Sequence, residues 1–375
     1  MSRKLRVVVC GTTFGQMYLE GLRQCRDRFE PVAVLARGSE RSQRCAQRYG
    51  VKLCTGLDEL PGDIDVACVV IRSGLLGGRG AELAMALMER GIHVVQEHPL
   101  HHDELAACLR QARAHGVIYQ LNPFYVHVEP VRRFIAAARE LLRRQQPLYI
   151  DAVSGFQLVY SLFDIIGSVL GVLRPWKFSP GPVNEELRRL SATGELPFRT
   201  VDGVVAGVPI TLRLQNQLNP ADPDNHAHLD HRITFGTEGA NLSLLNTHGP
   251  IVCGRRARYP HEPRDPASRP HFETSALAGD PPGAVLLGPA RAPGFLESFE
   301  RLWPFAIQRA LGRLDEAIRT GADPLVLGQY HLTLCLLWQQ LTASLGSPEL
   351  ISRELPEPLS AADADALAAA AAGAT

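Results

Sequence analysis

The sequence predicts an α/β protein: a parallel, doubly wound sheet in the first third, then an α+β domain with a mostly antiparallel, open sheet. Three observations carry this. The first ~120 residues alternate short β-branched runs with helical patterns, the signature of a parallel sheet with crossover helices. The rest shows strand-like segments separated by Gly/Pro-rich loops, without that alternation. At 375 residues with 45% apolar side chains, the chain has the length of two domains and the composition to bury a core in each.

Taken in order, residues 7–9 (Val-Val-Val) read as a buried strand and residues 15–26 as a helix with Met17, Tyr18 and Leu22 on one face. Residues 32–35 are the second strand. A helix over 41–49 follows, with Ser39 as N-cap and Gly50 as its stop. Residues 51–54 and 66–71 give strands three and four. A helix over 81–90 ends at Gly91, residues 92–96 are strand five, 103–114 a helix and 117–121 strand six. In the second half, strand-like segments fall at 148–156, 204–214, 231–235 and 241–245. Two helices close the domain. The first spans 295–319. The second is launched by Asp323-Pro324 and carries a stripe of Leu327, Tyr330, Leu334, Leu337, Trp338 and Leu341. Residues 255–293 read as a long mobile loop, and the Ala-rich tail after Ser360 as a frayed helix or disordered segment. The expected domains are 1–123, 124–350 and a low-complexity tail, 351–375.

The formal net charge is zero, so no basic field asks for nucleic acid or anionic lipid. The longest apolar stretch, residues 158–173, is shorter than a membrane span and contains Asp164. None of the eight cysteines forms a C-x-x-C pair, which reads as reduced thiols in a cytoplasmic protein. The lysines are Lys4, Lys52 and Lys177, which limits where a catalytic lysine could stand.

The turn after the first strand reads Gly11-Thr12-Thr13-Phe14-Gly15. Glycines there allow a sharp bend and close approach of backbone to a pyrophosphate, the chemistry of a dinucleotide-binding Rossmann turn; the middle glycine of G-x-G-x-x-G is missing. After the second strand comes Ala36-Arg37-Gly38-Ser39-Glu40-Arg41-Ser42. The strand ends without the acid that would hold a ribose 2′-hydroxyl. Arg37, Ser39, Arg41 and Ser42 offer guanidinium and hydroxyl groups to a 2′-phosphate, so NADPH/NADP+ is the expected cofactor.

Strand five leads into Gln96-Glu97-His98-Pro99-Leu100-His101-His102, and strand six into Asn122-Pro123-Phe124-Tyr125-Val126-His127. Both lie at C-terminal ends of parallel strands, where open sheets bind ligands. His98 and Tyr125 are candidates to deliver a proton as hydride arrives. His101 and His102 read as helix-starting or solvated residues. The run from Asn225 to His231, with His226, His228 and Asp230, is read as loop or cleft histidines, and no metal site is expected.

At these residues the sequence resembles the Gfo/Idh/MocA oxidoreductases, which pair a Rossmann domain with a C-terminal α/β sheet domain. His98 stands where their Glu-Lys-Pro lysine would be, and Asp164-Ile165-Ile166-Gly167-Ser168 lacks the histidine of their Asp-x-x-x-His. Gly11, Phe14, Gly15 and Tyr18, the Val70-Ile71-Arg72-Ser73 stretch, Gln96 to His101, Asn122 to His127, Asp222-Pro223-Asp224 and His231-Arg232 are similar to the thiazolinyl imine reductases of pyochelin- and yersiniabactin-type siderophore assembly. That resemblance implies NADPH-dependent reduction of a thiazoline C=N to a thiazolidine. The substrate would be held as a phosphopantetheine thioester on a nonribosomal peptide synthetase carrier domain. It also implies a homodimer, and adds Arg72, Glu97 and His98 to the cofactor set. The alternatives are a sugar- or inositol-type enzyme of the same superfamily, or an NADP-binding regulator.

Overall fold

A computed structural model describes residues 3–72, 78–221, 227–257, 281–352 and 357–374. The first sheet is built from β1 (Leu5–Cys10), α1 (Gly15–Arg23), β2 (Phe29–Leu35), α2 (Glu40–Tyr49), β3 (Lys52–Cys54), β4 (Val66–Val69), α3 (Gly80–Glu89), β5 (His93–Glu97), α4 (His102–Ala114) and β6 (Tyr119–Asn122). All its pairings are parallel, in the order β3-β2-β1-β4-β5-β6. That is the doubly wound order, with its switch point between β1 and β4. Val7, Val8, Val9, Val66, Ala67, Cys68, Val94 and Val95 are fully buried, as strands covered on both faces require. The punctuation agrees with the sequence. Ser39 caps α2 by accepting from the Ser42 amide, and Gly50 (φ 65°) ends that helix in the left-handed region.

The second half contains α5 (Glu129–Arg144), β7 (Pro147–Gly155), α6 (Val159–Leu170), β8 (Trp176–Pro180), α7 (Glu185–Leu190), β9 (Phe198–Val205), β10 (Val208–Gln215), β11 (Gln217–Leu218), β12 (His231–Thr237), β13 (Ala240–Leu244), β14 (Ile251–Arg255) and β15 (Ala284–Leu286). The chain continues with α8 (Phe295–Glu297), α9 (Trp303–Thr320), α10 (Pro324–Leu345), β16 (Glu349–Leu350) and α11 (Ala361–Ala372). Eight strands form a sheet in the order β15-β14-β13-β12-β7-β10-β9-β8, antiparallel except where β10 runs parallel to β7. In β10, Val208, Ile210, Leu212 and Leu214 point inward, while Pro209, Thr211 and Arg213 face out. α5 and α6 cover the inner face. Leu148, Tyr149 and Val204 are exposed.

Three expectations change and one is refined. The run 204–214 is a hairpin, β9 and β10, turning at Ala206 (φ 51°) and Gly207 (φ 82°), which is the paired left-handed geometry of a tight two-residue hairpin turn. The stretch 255–293 is not one loop: β15 within it pairs with β14, while residues 258–280 lie outside the described residues. The helix expected over 295–319 is present, helical without a break from Phe295 to Thr320, with a π-helical turn at Ser298–Leu302 between α8 and α9. Finally, α9 packs on α1 and α10 on α4, so both helices flank the first sheet rather than simply closing the second domain. Gly21 and Gly328 mark the close approaches: a Cβ on Gly21 would lie 2.7 Å from Ile307 Cγ2, and one on Gly328 2.3 Å from Leu109 Cδ1. The tail after Ser360 forms α11, exposed along its length. Among the described residues no helix is long and apolar enough to cross a membrane.

Candidate active site

The turn that follows β1 is shaped for a nucleotide. Gly11 has φ +100° and donates its amide to the Leu35 carbonyl at 2.9 Å. A Cβ there would sit 2.4 Å from the Val70 carbonyl oxygen, so no other residue fits without moving β4. Gly15 opens α1 against Val9, with 3.2 Å between its notional Cβ and Val9 Cγ1. No side chain caps α1 at Phe14 and no acid stands in its first turn, leaving a helix N-terminus suited to an anion. Thr12 is buried. The Phe14 ring packs edge-on to Phe124 (5.2 Å between centroids) and to Trp303 (5.8 Å), so it joins an aromatic cluster beside the turn.

At the end of β2, Arg37 and Arg41 are exposed, and neither is ion-paired with a described residue. Gly38 adopts φ +79°. Ser42 faces the other way: it is fully buried and its hydroxyl donates to the Ser39 carbonyl at 2.6 Å. Of the side chains read from the sequence as a phosphate cradle, Arg37, Ser39 and Arg41 are exposed and Ser42 is not. Arg72 is exposed, and its carbonyl accepts from the Gly80 amide at 2.9 Å. Ser73, with Asp222, Pro223, Asp224, Asn225 and His226, lies outside the described residues.

β5 and β6 bring the chemistry together. His98 Nδ1 lies 3.0 Å from Glu97 Oε1 and 3.1 Å from the Asn122 carbonyl oxygen. Both neighbours are acceptors, so Nδ1 carries the proton, and Nε2 makes no hydrogen bond to a described residue. The other Glu97 oxygen accepts from the Tyr18 hydroxyl, and Asn122 Nδ2 donates to that hydroxyl at 2.7 Å. Burial pushes the Tyr18 phenol well above its ordinary range, which keeps it a donor to Glu97. Asn122 in turn accepts the Phe124 amide at 3.1 Å, fixing the backbone that leads to Tyr125.

The His98 ring is stacked on Tyr160 from α6, with 5.4 Å between centroids and 27° between planes. The Tyr125 ring approaches His98 edge-on at 6.3 Å. The two residues picked from the sequence as proton donors thus meet in one site. Tyr18, Asn122, Tyr160 and His231 are the members sequence reasoning missed in that role. Asp164, one turn beyond Tyr160, is buried, with Oδ2 unpartnered among described residues, and burial raises its carboxyl to about 6. His101 starts α4, its amide held by Glu104 Oε2 at 3.2 Å, and His102 pairs with Asp103 at the surface. Among the described residues no group of three His, Cys, Asp or Glu is placed to hold a metal.

Residues 5–123 match the Gfo/Idh/MocA family model, described as an oxidoreductase family with an NAD-binding Rossmann fold. Residues 145–254 match the model of the thiazolinyl imine reductase Irp3-like C-terminal domain. No curated protein matches the sequence. Among solved structures, the chain is similar to KijD10, a 3-ketoreductase from Actinomadura kijaniata in complex with NADP and TDP-benzene: TM-score 0.62, 16% identity, 94% of this chain and 100% of that one. It is also similar to UDP-N-acetylglucosamine 3-dehydrogenase GnnA from Acidithiobacillus ferrooxidans, with TM-score 0.58, 14% identity, and 92% and 100% covered. A dehydrogenase from Chromobacterium violaceum gives TM-score 0.60, 14% identity, and 100% and 99% covered. At these identities the likeness is one of fold.

Proposed function

We propose that this chain, which joins a Gfo/Idh/MocA-type oxidoreductase Rossmann domain to an Irp3-like C-terminal domain, reduces a thiazoline C=N to a thiazolidine with NADPH. The observation that carries the proposal is His98 at the end of β5. It replaces a lysine suited to alcohol oxidation with an imidazole whose Nδ1 is held by Glu97 and the Asn122 carbonyl.

The turn fits a dinucleotide. Gly11 and Gly15 let the turn pack tightly on Val70 and Val9, the uncapped start of α1 would hold the pyrophosphate, and Arg37 and Arg41 would hold a 2′-phosphate. When bound, NADPH supplies the hydride that a C=N carbon accepts. The residues of the chain supply the rest. The imine nitrogen must gain one proton as its carbon is reduced, and His98 Nε2–H or the Tyr125 phenol delivers it. Glu97 compensates the charge of a His98 ring that carries both protons, and Tyr18 and Asn122 hold Glu97 in place. Tyr160 fixes the plane of the imidazole.

The same reading makes the substrate a thioester on the phosphopantetheine arm of a nonribosomal peptide synthetase carrier domain, in siderophore assembly. It is tested by following NADPH oxidation with a thiazoline thioester mimic beside a panel of sugars, inositol and nucleotide sugars. Consumption with the thiazoline alone supports the proposal; turnover confined to the sugar panel overturns it.

A further inference from the structure

His231 opens β12, across from Ser154 of β7, and is fully buried. Both ring nitrogens are engaged. Nε2 lies 2.8 Å from Ser161 Oγ on α6, and Nδ1 lies 2.8 Å from Thr247 Oγ1 in the loop after β13. Ser161 donates its own hydroxyl proton to the Leu158 carbonyl at 2.9 Å, so it must accept from Nε2–H. Nδ1 is then the acceptor for the Thr247 hydroxyl, and a single neutral tautomer satisfies the whole chain. Ser161 and Thr247 are themselves buried. Tyr125 lies 4.8 Å away between ring centroids; His98 and His248 disfavour a charged ring, and the Leu158 carbonyl acts the other way without offsetting burial. Burial pushes the imidazole down to about 3.

This fixed ring lies against Tyr125. The centroids are 4.8 Å apart with 67° between planes, closer than Phe124 at 5.2 Å or His98 at 6.3 Å. Tyr125 sits on a short turn after β6, Tyr125–His127, rather than in a sheet or long helix that would hold it by backbone hydrogen bonds alone. The ring it rests on is anchored to the second sheet and to α6.

We propose that His231 is a positioning residue: a neutral imidazole, pinned at both nitrogens, that sets the orientation of Tyr125 toward His98. This rests on the reading that Tyr125 works in the reductive site. The orientation matters because small displacements of a reacting group carry large rate penalties. His231→Leu removes both polar contacts, and His231→Gln keeps a donor toward Ser161.

The test is a double-mutant cycle on thiazoline reduction, with Tyr125→Phe as the second change. Expected is a fall in kcat of about tenfold for His231→Leu with KM for NADPH unchanged, partial recovery in His231→Gln, and no added loss when His231→Leu is placed in the Tyr125→Phe background. Equal losses in both backgrounds, or full activity in His231→Leu, would overturn the proposal. Should His231→Leu fail to fold, Thr247→Val, which removes only the Nδ1 contact, takes its place in the cycle.

A second readout does not depend on the substrate. In protein labelled with 15N-histidine, the imidazole signal lost in His231→Gln should show the Nε2–H neutral tautomer and no titration from about pH 5 to 8. A titrating or tautomer-mixed ring would overturn the pinned-imidazole claim, whatever the enzyme reduces. A fixed ring in a protein inactive on thiazolines would instead indict the substrate reading.

Discussion

His98 Nδ1 lies 3.0 Å from Glu97 Oε1, and the second oxygen of the same carboxylate takes the hydroxyl of Tyr18, a residue 79 positions earlier in the chain. One carboxylate therefore couples the first helix of the nucleotide-binding fold to the candidate acid at the end of β5. It does so with the Glu97 side chain only 15% exposed.

Replacing Glu97 by Gln keeps the size and removes the charge. Nδ1 loses its carboxylate, and a doubly protonated ring is left uncompensated. The expected outcome is a 10- to 100-fold fall in kcat, the usual cost of removing such a supporting partner, with KM for NADPH within about twofold. Steady-state kinetics with a thiazoline thioester mimic check it; an unchanged kcat would show that Glu97 does not serve His98. Tyr18→Phe, which leaves the carboxylate charged, should cost less.

The cofactor preference is expected to reside in Arg37 and Arg41. With both changed to Ala, the ratio of kcat/KM for NADPH over NADH should fall by about 10- to 100-fold, the loss of two charge-assisted contacts to a phosphate. Single changes should fall between. A ratio that stays constant would place the 2′-phosphate elsewhere.

Gly11→Ala forces a Cβ to within 2.4 Å of the Val70 carbonyl oxygen at a backbone φ of +100°. The conformation alone costs an ordinary residue about 1–3 kcal/mol, and relieving the clash means moving the turn off β4. The variant should be less stable in urea denaturation and should bind NADPH at least tenfold more weakly by fluorescence titration. Wild-type affinity would mean that the turn does not approach the cofactor.

The first sheet was legible in the sequence because its central strands β1 and β4 are short apolar runs buried on both faces, and α2 and α3 are followed by glycine stops at Gly50 and Gly91. The hairpin at Ala206 was not. Alternating apolar residues run through the turn, and a non-glycine residue at φ 51° gives no local signal. Strands β8 and β15 lie at sheet edges with partly or fully exposed side chains, so burial leaves no pattern there. His98 and Tyr125 could be found because strand ends mark ligand sites in such sheets. The contacts that Tyr18, Tyr160 and His231 make in the site could not, because their partners come from elements far away in the chain. Ser42 illustrates the opposite error: its hydroxyl looked available, but the helix start turns it inward.

Acid stability depends on buried histidines, among them His127, His231 and His331, each lowered by burial to about 3. His127 and His231 are 6% and 0% exposed, and burial lowers both to about 3 from the ordinary 6.5. The unfolded chain therefore binds more protons than the folded one below pH 6.5. Their contribution is complete above that pH and is lost on acidification, by about 2 kcal/mol each at pH 5. Urea denaturation at pH 7.5 and 5 should show this loss, and His231→Gln should show less of it. Equal pH dependence in the variant would mean that His231 titrates normally.

Asp164 works in the opposite sense. Its folded carboxyl is raised to about 6 from 3.8, so its contribution is complete below 3.8 and disappears as pH rises through 6. Asp164→Asn should remove this term, on the order of 3 kcal/mol, and make the variant relatively more stable than the parent at pH 8 than at pH 5. Parallel stability profiles for parent and variant would contradict it.

The measurement that bears most directly on the proposed chemistry is transfer of label from NADPH deuterated at the nicotinamide C4 position, on the face from which hydride is donated. Both C4-labelled stereoisomers are supplied in turn to the enzyme with a thiazoline thioester on a phosphopantetheine arm. The expected result is one deuterium at the former C=N carbon of a thiazolidine with one of the two labels, formed at a rate that falls at least 100-fold in His98→Asn or Tyr125→Phe. No label in the ring with either isomer, together with NADPH oxidation only on a sugar or nucleotide sugar, would contradict the assignment of this site to imine reduction.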